Sequence, residues 1–241
     1  MKKTALEIRD LSFTRFEQNI IRNINLNIYE GEFVVLIGPN GSGKSTLIKI
    51  INSLVKPNTG QVLLGTKNLI GEPVYKVALH VATLTQDLAH STFSDLSVLM
   101  NMQLALTRSS GPRQARAHIA NYLSTFNPLL SERLDILAGH LSGGQRQSLA
   151  LAMCFAHTPK VLLLDEHTSA LDPKAADALI ELTNAHVRAK KLTTIMITHS
   201  LEYAMKYGDR ILAMGEGKIV ADISGPEKKL LSKDDLMRLA Y

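Results

Sequence analysis

A single cysteine, Cys154, stands in 241 residues, and tryptophan is absent. One thiol cannot close an internal disulfide, so no disulfide framework holds this fold. Cys154 lies in the apolar run LALAMCFA, where a buried structural thiol is expected. Long hydrophobic runs are also missing. FVVLI and VLLL fall far short of the ~20 residues that a membrane span requires. The chain opens MKKTA, the basic start of a secretory leader, but LEIRD follows with no apolar stretch, so no signal peptide is expected. No run of five basic residues marks a nucleic-acid arm. There is no internal repeat, low-complexity tract or flexible linker.

What remains is ordinary for a folded protein: 45% hydrophobic and 20% charged residues, long enough for a sizeable core. The net charge of +5 suits an acidic partner such as nucleotide phosphates, a membrane surface or nucleic acid. A mildly basic surface with no specific partner accounts for it equally well.

ALEIRDLSF and INLNIY alternate apolar and polar residues and read as half-buried antiparallel strands. GEFVVLIG is continuously apolar and reads as a buried parallel strand. It enters a glycine-rich turn and the helical pattern KSTLIKIINSL, which Pro57 and Gly60 are expected to stop. QVLLG is a further strand. From about residue 88 to 156 helical patterns prevail, with loops at SSGP and FNP. The β/α alternation then resumes. VLLLD is a strand, PKAADALIELTNAHVRAK a helix, LTTIMIT a strand and SLEYAMKYG a helix ended by Gly208. RILAMGEGKIVADI reads as a hairpin turning at GEGK. In the tail, Ser232 and Asp235 form a capping box ahead of Leu236, Met237 and Leu239, a helix expected to do no more than pack. The pattern is one α/β unit interrupted by a helical insertion.

GPNGSGKS, Gly38 to Ser45, follows a buried strand and opens a helix, the context in which such a motif cradles phosphates. Glycines let backbone N–H groups converge on phosphate oxygens, and the helix N-terminus adds unpaired donors. Lys44 supplies a full charge, and the Ser45 hydroxyl can ligate Mg²⁺. The expected nucleotide contacts are Gly38, Pro39, Asn40, Gly41, Ser42, Gly43, Lys44, Ser45 and Thr46. VLLLDE ends in Asp165 and Glu166, which point to opposite faces of a strand and so cannot share one role. Asp165 is placed to meet hydrated Mg²⁺, and Glu166 to polarise an attacking water.

In AGHLSGGQRQSLALAM, Ser142 and Gln145 form a capping box, and Leu149, Ala152, Met153 and Phe155 or Ala156 give the helix its core face. That does not explain Gly143 and Gly144 in the first turn, each of which weakens a helix by roughly 1 kcal/mol. A bare capped helix N-terminus is an anion site that lacks only a fixed positive charge.

LSGGQ, with GPNGSGKS upstream and VLLLDE downstream, resembles the ATP-binding cassette of ABC transporters over nearly the whole chain. The resemblance implies a P-loop NTPase (RecA-like) α/β core with an N-terminal antiparallel β subdomain and an inserted α-helical subdomain. The 241 residues are then one ATPase domain, its core at about 1–87 and 157–241 and its helical signature subdomain at about 88–156. It implies that Ser142, Gly143, Gly144 and Gln145 meet ATP held by the phosphate loop of a second copy. It implies that Gln86, after a strand, senses Mg²⁺ and the attacking water and moves with a transmembrane partner. SALD, Ser169 to Asp172, is similar to the loop that crosses the dimer interface. His199 matches the histidine that contacts the γ-phosphate and orients the water. The adenine-stacking aromatic of such cassettes falls on Arg15, with Phe16 beside it and Phe13 two before; Phe16 is favoured, and Arg15 laying its guanidinium on the base is the alternative. His167 stands where proline is common. VLLLDEHTSALDPKAADALIEL and its sequel resemble ATPases of bacterial importers for tryptophan, tyrosine or related substrates.

The implied cofactors are ATP and Mg²⁺. The implied partners are a second copy, a transmembrane permease whose cytoplasmic helix docks near residues 88–105 and, indirectly, a solute-binding protein, with the chain peripheral on the cytoplasmic face of the inner membrane. Nucleic acid is not expected. A soluble ABC-type ATPase acting on ribosomes or DNA remains an alternative, which co-purification with membranes or with nucleic acid would decide. A P-loop small-molecule kinase is another, but it has no use for LSGGQ and His199.

Overall fold

In the computed structural model, which describes residues 2–87, 91–107 and 115–240, the alternating N-terminal segments pair as β1 (Thr4–Arg15) and β2 (Gln18–Tyr29). They join through Phe16 and Glu17, both at positive φ (48° and 61°), the primed turn that matches strand twist. The apolar run forms β3 (Phe33–Ile37), every residue of it buried, and the phosphate-loop turn leads into α1 (Lys44–Ile51). β4 (Thr59–Leu64), β5 (Lys67–Asn68) and α2 (Val74–Val77) follow, and β6 (Val81–Thr85) leads into the insertion. The insertion carries α3 (Val98–Leu106), α4 (Arg116–Ser124), α5 (Pro128–Glu132) and α6 (Gly143–Phe155). Then come β7 (Val161–Asp165), α7 (Pro173–Lys190), β8 (Thr193–Ile197), α8 (Leu201–Tyr207), β9 (Arg210–Gly215), β10 (Lys218–Ser224), α9 (Gly225–Leu230) and α10 (Lys233–Ala240).

The chain divides into two compact units: residues 1–81, 160–166 and 191–241 in one, and 82–159 with 167–190 in the other. The first unit contains two sheets. The antiparallel sheet has the order β2-β1-β4-β5, with Leu6 opposite Ile28 on one side and Leu64 on the other. The second sheet runs β10-β9-β3-β8-β7 within this unit, parallel from β9 to β7, with β10 antiparallel at its edge. Leu6, Ile8, Ile28, Val34, Leu36, Leu163 and Ile197 share one buried cluster with Leu47, Ile48 and Ile51 of α1. Burial on both faces explains why β3 and the VLLL of β7 read as unbroken apolar runs.

The second unit is helical. Its α6 presents Leu149, Leu151, Ala152 and Phe155 to the interior. Asn127 caps α5 by accepting from the Leu129 N–H at 3.0 Å, with Pro128 in the first turn, so FNP is a helix start. The SSGP loop lies outside the described residues.

Four expectations change in detail. α1 ends at Ile51, well before Pro57, because Ser53 adopts a left-handed conformation (φ 61°) and the Leu54 and Val55 N–H groups both return to the Lys49 carbonyl. Cys154 is half-buried, its Sγ 3.7 Å from the Thr83 carbonyl. Met153 and Ala156 are only partly covered. In α10, Leu236 is buried but Met237 faces solvent; the capping box is present, with the Asp235 N–H donating to Ser232 Oγ at 3.1 Å and the Ser232 N–H to Asp235 Oδ2 at 3.0 Å.

Candidate functional site

The site begins where a buried strand must turn sharply into a helix. Between β3 and α1, Gly38 and Gly43 stand at φ 141° and 103°. A Cβ on Gly38 would lie 2.1 Å from the Met214 carbonyl oxygen, and one on Gly43 would lie 2.7 Å from that of Ile20. Only glycine fits either position, for conformation and for space. The loop is thus clamped between β2 and β9 of its own unit, and the Gly217 N–H donates to the Ser42 carbonyl at 3.1 Å.

Lys44 folds back beneath the loop. Its Nζ donates to the Gly38 carbonyl at 2.7 Å and to the Pro39 carbonyl at 2.8 Å. Burial holds its pKa below the ordinary lysine value, while the carboxylates of Glu166 and Asp165 pull it back up. Ser45, in the first turn of α1, donates from Oγ to Asp165 Oδ1 at 3.2 Å. Burial raises the Asp165 pKa; the bond from Ser45 opposes that shift and the neighbouring Glu166 adds to it. Ser42 Oγ is buried and has no hydrogen-bond partner among the described residues. Asn40 and Gly41 are exposed, and Pro39 and Thr46 are half-buried.

Glu166 ends β7 in an unusual way. It sits at φ 51°, a conformation costly for a residue with a side chain, while its N–H donates to the Ile197 carbonyl at 3.2 Å. The turn aims its carboxylate at the loop after β8, where His199 Nε2 donates to Glu166 Oε1 at 3.0 Å. Both side chains keep solvent access, 40% for His199 and 25% for Glu166. The first unit therefore assembles the phosphate loop, Lys44, Ser45, Asp165, Glu166 and His199 from three loops that leave the same edge of one sheet. This is the carboxyl end of the parallel strands, where open α/β sheets bind ligands.

The donor set fits a magnesium nucleotide. A hydroxyl beside a carboxylate suits a hard cation that keeps part of its water shell. The orphaned Ser42 hydroxyl and the buried ammonium of Lys44 suit anionic oxygens.

Gln86 and the LSGGQ segment belong to the second unit. Gln86 is exposed just beyond β6. Ser142 caps α6: its Oγ accepts from the Gln145 N–H at 3.4 Å, and the Ser142 N–H donates to Gln145 Oε1 at 3.2 Å. Cβ atoms on Gly143 and Gly144 would meet only Leu171 Cδ2 at 3.6 Å and Ala175 Cβ at 3.8 Å, ordinary contacts. Nothing among the described residues demands glycine there, unlike at Gly38 and Gly43. Asp172, last of SALD, caps α7 by accepting from the Ala175 N–H at 3.0 Å.

Phe16 stands 86% exposed at the β1–β2 turn, and the Arg15 guanidinium lies 5.2 Å from its ring centre. The two candidates for stacking on a base thus stack on each other. Phe13 packs against the core of the first unit. One polar residue of the signature helix escaped the sequence reading. Gln147, buried in α6, donates from Nε2 to the His167 carbonyl at 2.6 Å. A glutamine amid RQSLALAM, on the core-facing side, was the available signal. His167 itself is buried, with no hydrogen-bond partner for Nε2 among the described residues.

A family model for ABC transporters matches residues 21–169. The chain belongs to the ABC transporter family. The cassette is 40% identical over 224 residues to a tyrosine transport ATP-binding protein of Clostridioides difficile (strain R20291), covering 90% of this chain and 89% of the relative. It is 31% identical over 237 residues to the energy-coupling factor transporter ATP-binding protein EcfA2 of Acetivibrio thermocellus, covering 98% and 83%. Among solved structures, cbiO1 from Clostridium perfringens, part of the ABC transporter complex cbiONQ, superposes with a TM-score of 0.82 at 26% identity, covering 98% of this chain and 94% of that one. The cassette MJ0796, seen as a dimer in a post-hydrolysis state bound to ADP and Pi, gives 0.78 at 26% identity, covering 91% and 98%. This chain is accordingly the ATP-binding and ATP-hydrolysing subunit of an ABC transporter, with the P-loop NTPase fold of that family.

Proposed function

We propose that two copies of this cassette enclose two ATP molecules, each between GPNGSGKS of one copy and LSGGQ of the other, and that hydrolysis separates them and drives a permease. The observation that carries this reading is the bare start of α6. Gly143 and Gly144 have room for side chains within their own chain, so their bareness serves a surface that meets something outside it. The capped N-terminus there offers backbone donors to an anion.

Each residue has a role in this scheme. The loop amides and Lys44 grip the phosphates. Ser45 and Asp165 would hold Mg²⁺, which supplies charge neutralisation at the phosphate oxygens. Glu166 accepts a proton from the attacking water. His199, donating to Glu166, orients that carboxylate and reaches the γ-phosphate. Phe16, with Arg15 on its ring, carries the adenine. Ser142, Gly144 and Gln145 complete the site on the partner's nucleotide; Gln145 leaves its capping bond to do so.

The chain works at the cytoplasmic face of the membrane through permease subunits that dock near residues 88–105, of which 88–90 lie outside the described residues. Among the described residues no helix is long and apolar enough to cross a membrane. Likeness to the tyrosine transport protein supports import of an amino acid or related small solute, with a solute-binding protein delivering it. Loss of labelled tyrosine uptake on deletion of the gene tests the cargo. The sandwich is tested with Glu166→Gln, expected to bind ATP normally, lose turnover by roughly 10²-fold or more and accumulate as a dimer. A monomer at saturating ATP and micromolar protein refutes it.

A further inference from the structure

The stretch between Gln86 and α3 carries an arrangement the nucleotide site does not use. Residues 94–99 lie antiparallel to residues 134–139, the stretch that leads into the cap of α6. The Val98 and Leu99 N–H groups donate to the carbonyls of Ile136 and Leu134 at 2.9 and 2.8 Å. The Ala138 and Gly139 N–H groups return bonds to Leu96 and Ser94, each at 2.9 Å. The approach at Gly139 is close, since a Cβ there would stand 3.2 Å from the Ser94 carbonyl oxygen.

Two side chains fix this pairing. Asn101, fully buried in α3, accepts from the Phe93 N–H at 2.8 Å and donates to the carbonyls of Phe93, Leu96 and Ser97 at 3.0–3.1 Å. Arg146 follows LSGGQ directly. Its Nε donates to Thr92 Oγ1 at 2.6 Å, and its Nη2 to Ser94 Oγ at 2.9 Å and to the Thr92 carbonyl at 3.4 Å. A planar charged fork holding three acceptors in one short loop fixes orientation as well as distance. Thr92 is buried, yet the next residue, Phe93, is 59% exposed.

We propose that Arg146 is a positioning residue that makes the Thr92–Ser97 loop and the LSGGQ end of α6 one mechanical body. Engagement of the signature by a partner's nucleotide is then transmitted to Phe93, and a permease segment pressing on Phe93 biases the signature in return. Such coupling is reciprocal by thermodynamic necessity. The inference rests on the sandwich reading, since that supplies the event at the signature.

Hydrogen exchange in the Glu166→Gln protein, with and without saturating MgATP, separates the two ideas. The parent should dimerise, and ATP should slow exchange at least tenfold both in residues 138–148 and in residues 91–99. With Arg146→Ala added, dimerisation and slowing at 138–148 should persist, while the ATP-dependent slowing at 91–99 disappears. Arg146→Lys should restore part of it. A role in fold stability alone would change exchange equally with and without ATP. Should Arg146→Ala lose its native circular dichroism, Thr92→Val with Ser94→Ala removes two acceptors and leaves α6 intact, and the same loss is expected. Equal ATP-dependent slowing at 91–99 with and without Arg146, or none in a parent that has dimerised, overturns the coupling. A parent that stays monomeric overturns the sandwich reading instead.

Discussion

Lys44 and Glu166 show how single residues are held ready. Lys44 is a buried cation whose nearest acceptors are two loop carbonyls, and burial disfavours its charge. Phosphate oxygens would reverse that balance. Lys44→Ala should therefore weaken ATP binding by about 10- to 100-fold, the worth of one or two charge-assisted bonds. Titration calorimetry checks this, and unchanged affinity would show that the loop does not grip phosphate through Lys44. Glu166 holds a left-handed backbone, and its carboxylate accepts from His199. His199→Ala removes the orienting donor without touching the phosphate loop. Affinity for ATP should stay within about threefold while turnover falls by roughly 10²-fold. A turnover loss explained wholly by weaker binding would remove His199 from the chemistry.

At the scale of elements, two helix N-termini use glycine for opposite reasons. At α1, Gly43 is demanded from inside, because a Cβ would strike the Ile20 carbonyl. At α6, Gly144 is not, because among the described residues a Cβ would meet only Ala175 Cβ at 3.8 Å, an ordinary van der Waals contact. Gly43→Ala should destabilise the protein by about 1–3 kcal/mol and spoil the phosphate loop. Gly144→Ala should leave chemical denaturation unchanged, or strengthen α6 by up to ~1 kcal/mol, while steady-state turnover falls about tenfold or more. Full turnover in Gly144→Ala would mean that nothing outside the chain approaches that turn. Both helices were legible in the sequence, as was the capping box of α6, since each depends on residues within one turn. The stop of α1 was not. A left-handed Ser53 ends it, and the sequence pointed instead to Pro57.

At the scale of the whole molecule, stability depends on pH through a buried residue outside the chemistry. Burial lowers the His167 pKa from 6.5 to about 4. Between those values the unfolded chain binds a proton that the folded one refuses, so stability falls as pH drops through that window. Urea denaturation should show a loss of about 2 kcal/mol from this group between pH 7 and pH 5. His167→Asn should flatten that slope, whatever it does to stability at pH 7. An unaltered slope would place the acid sensitivity elsewhere.

The sequence by itself determined the strand–turn–helix of the phosphate loop, the acidic end of VLLLDE, the cap before LSGGQ and the α/β alternation around a helical insertion. These follow from neighbours in the chain, whose spacing sets periodicity, turn chemistry and helix capping. The tertiary structure alone decided that Ser45 bonds Asp165 across 120 residues of chain, and that Glu166 turns left-handed to meet His199. It also decided that Arg146 reaches back to Thr92 and Ser94, and that Phe13 goes to the core while Phe16 goes to solvent. Those outcomes depend on which distant segments share a sheet edge or a buried face. No local pattern encodes that, because such contacts form only when the core closes.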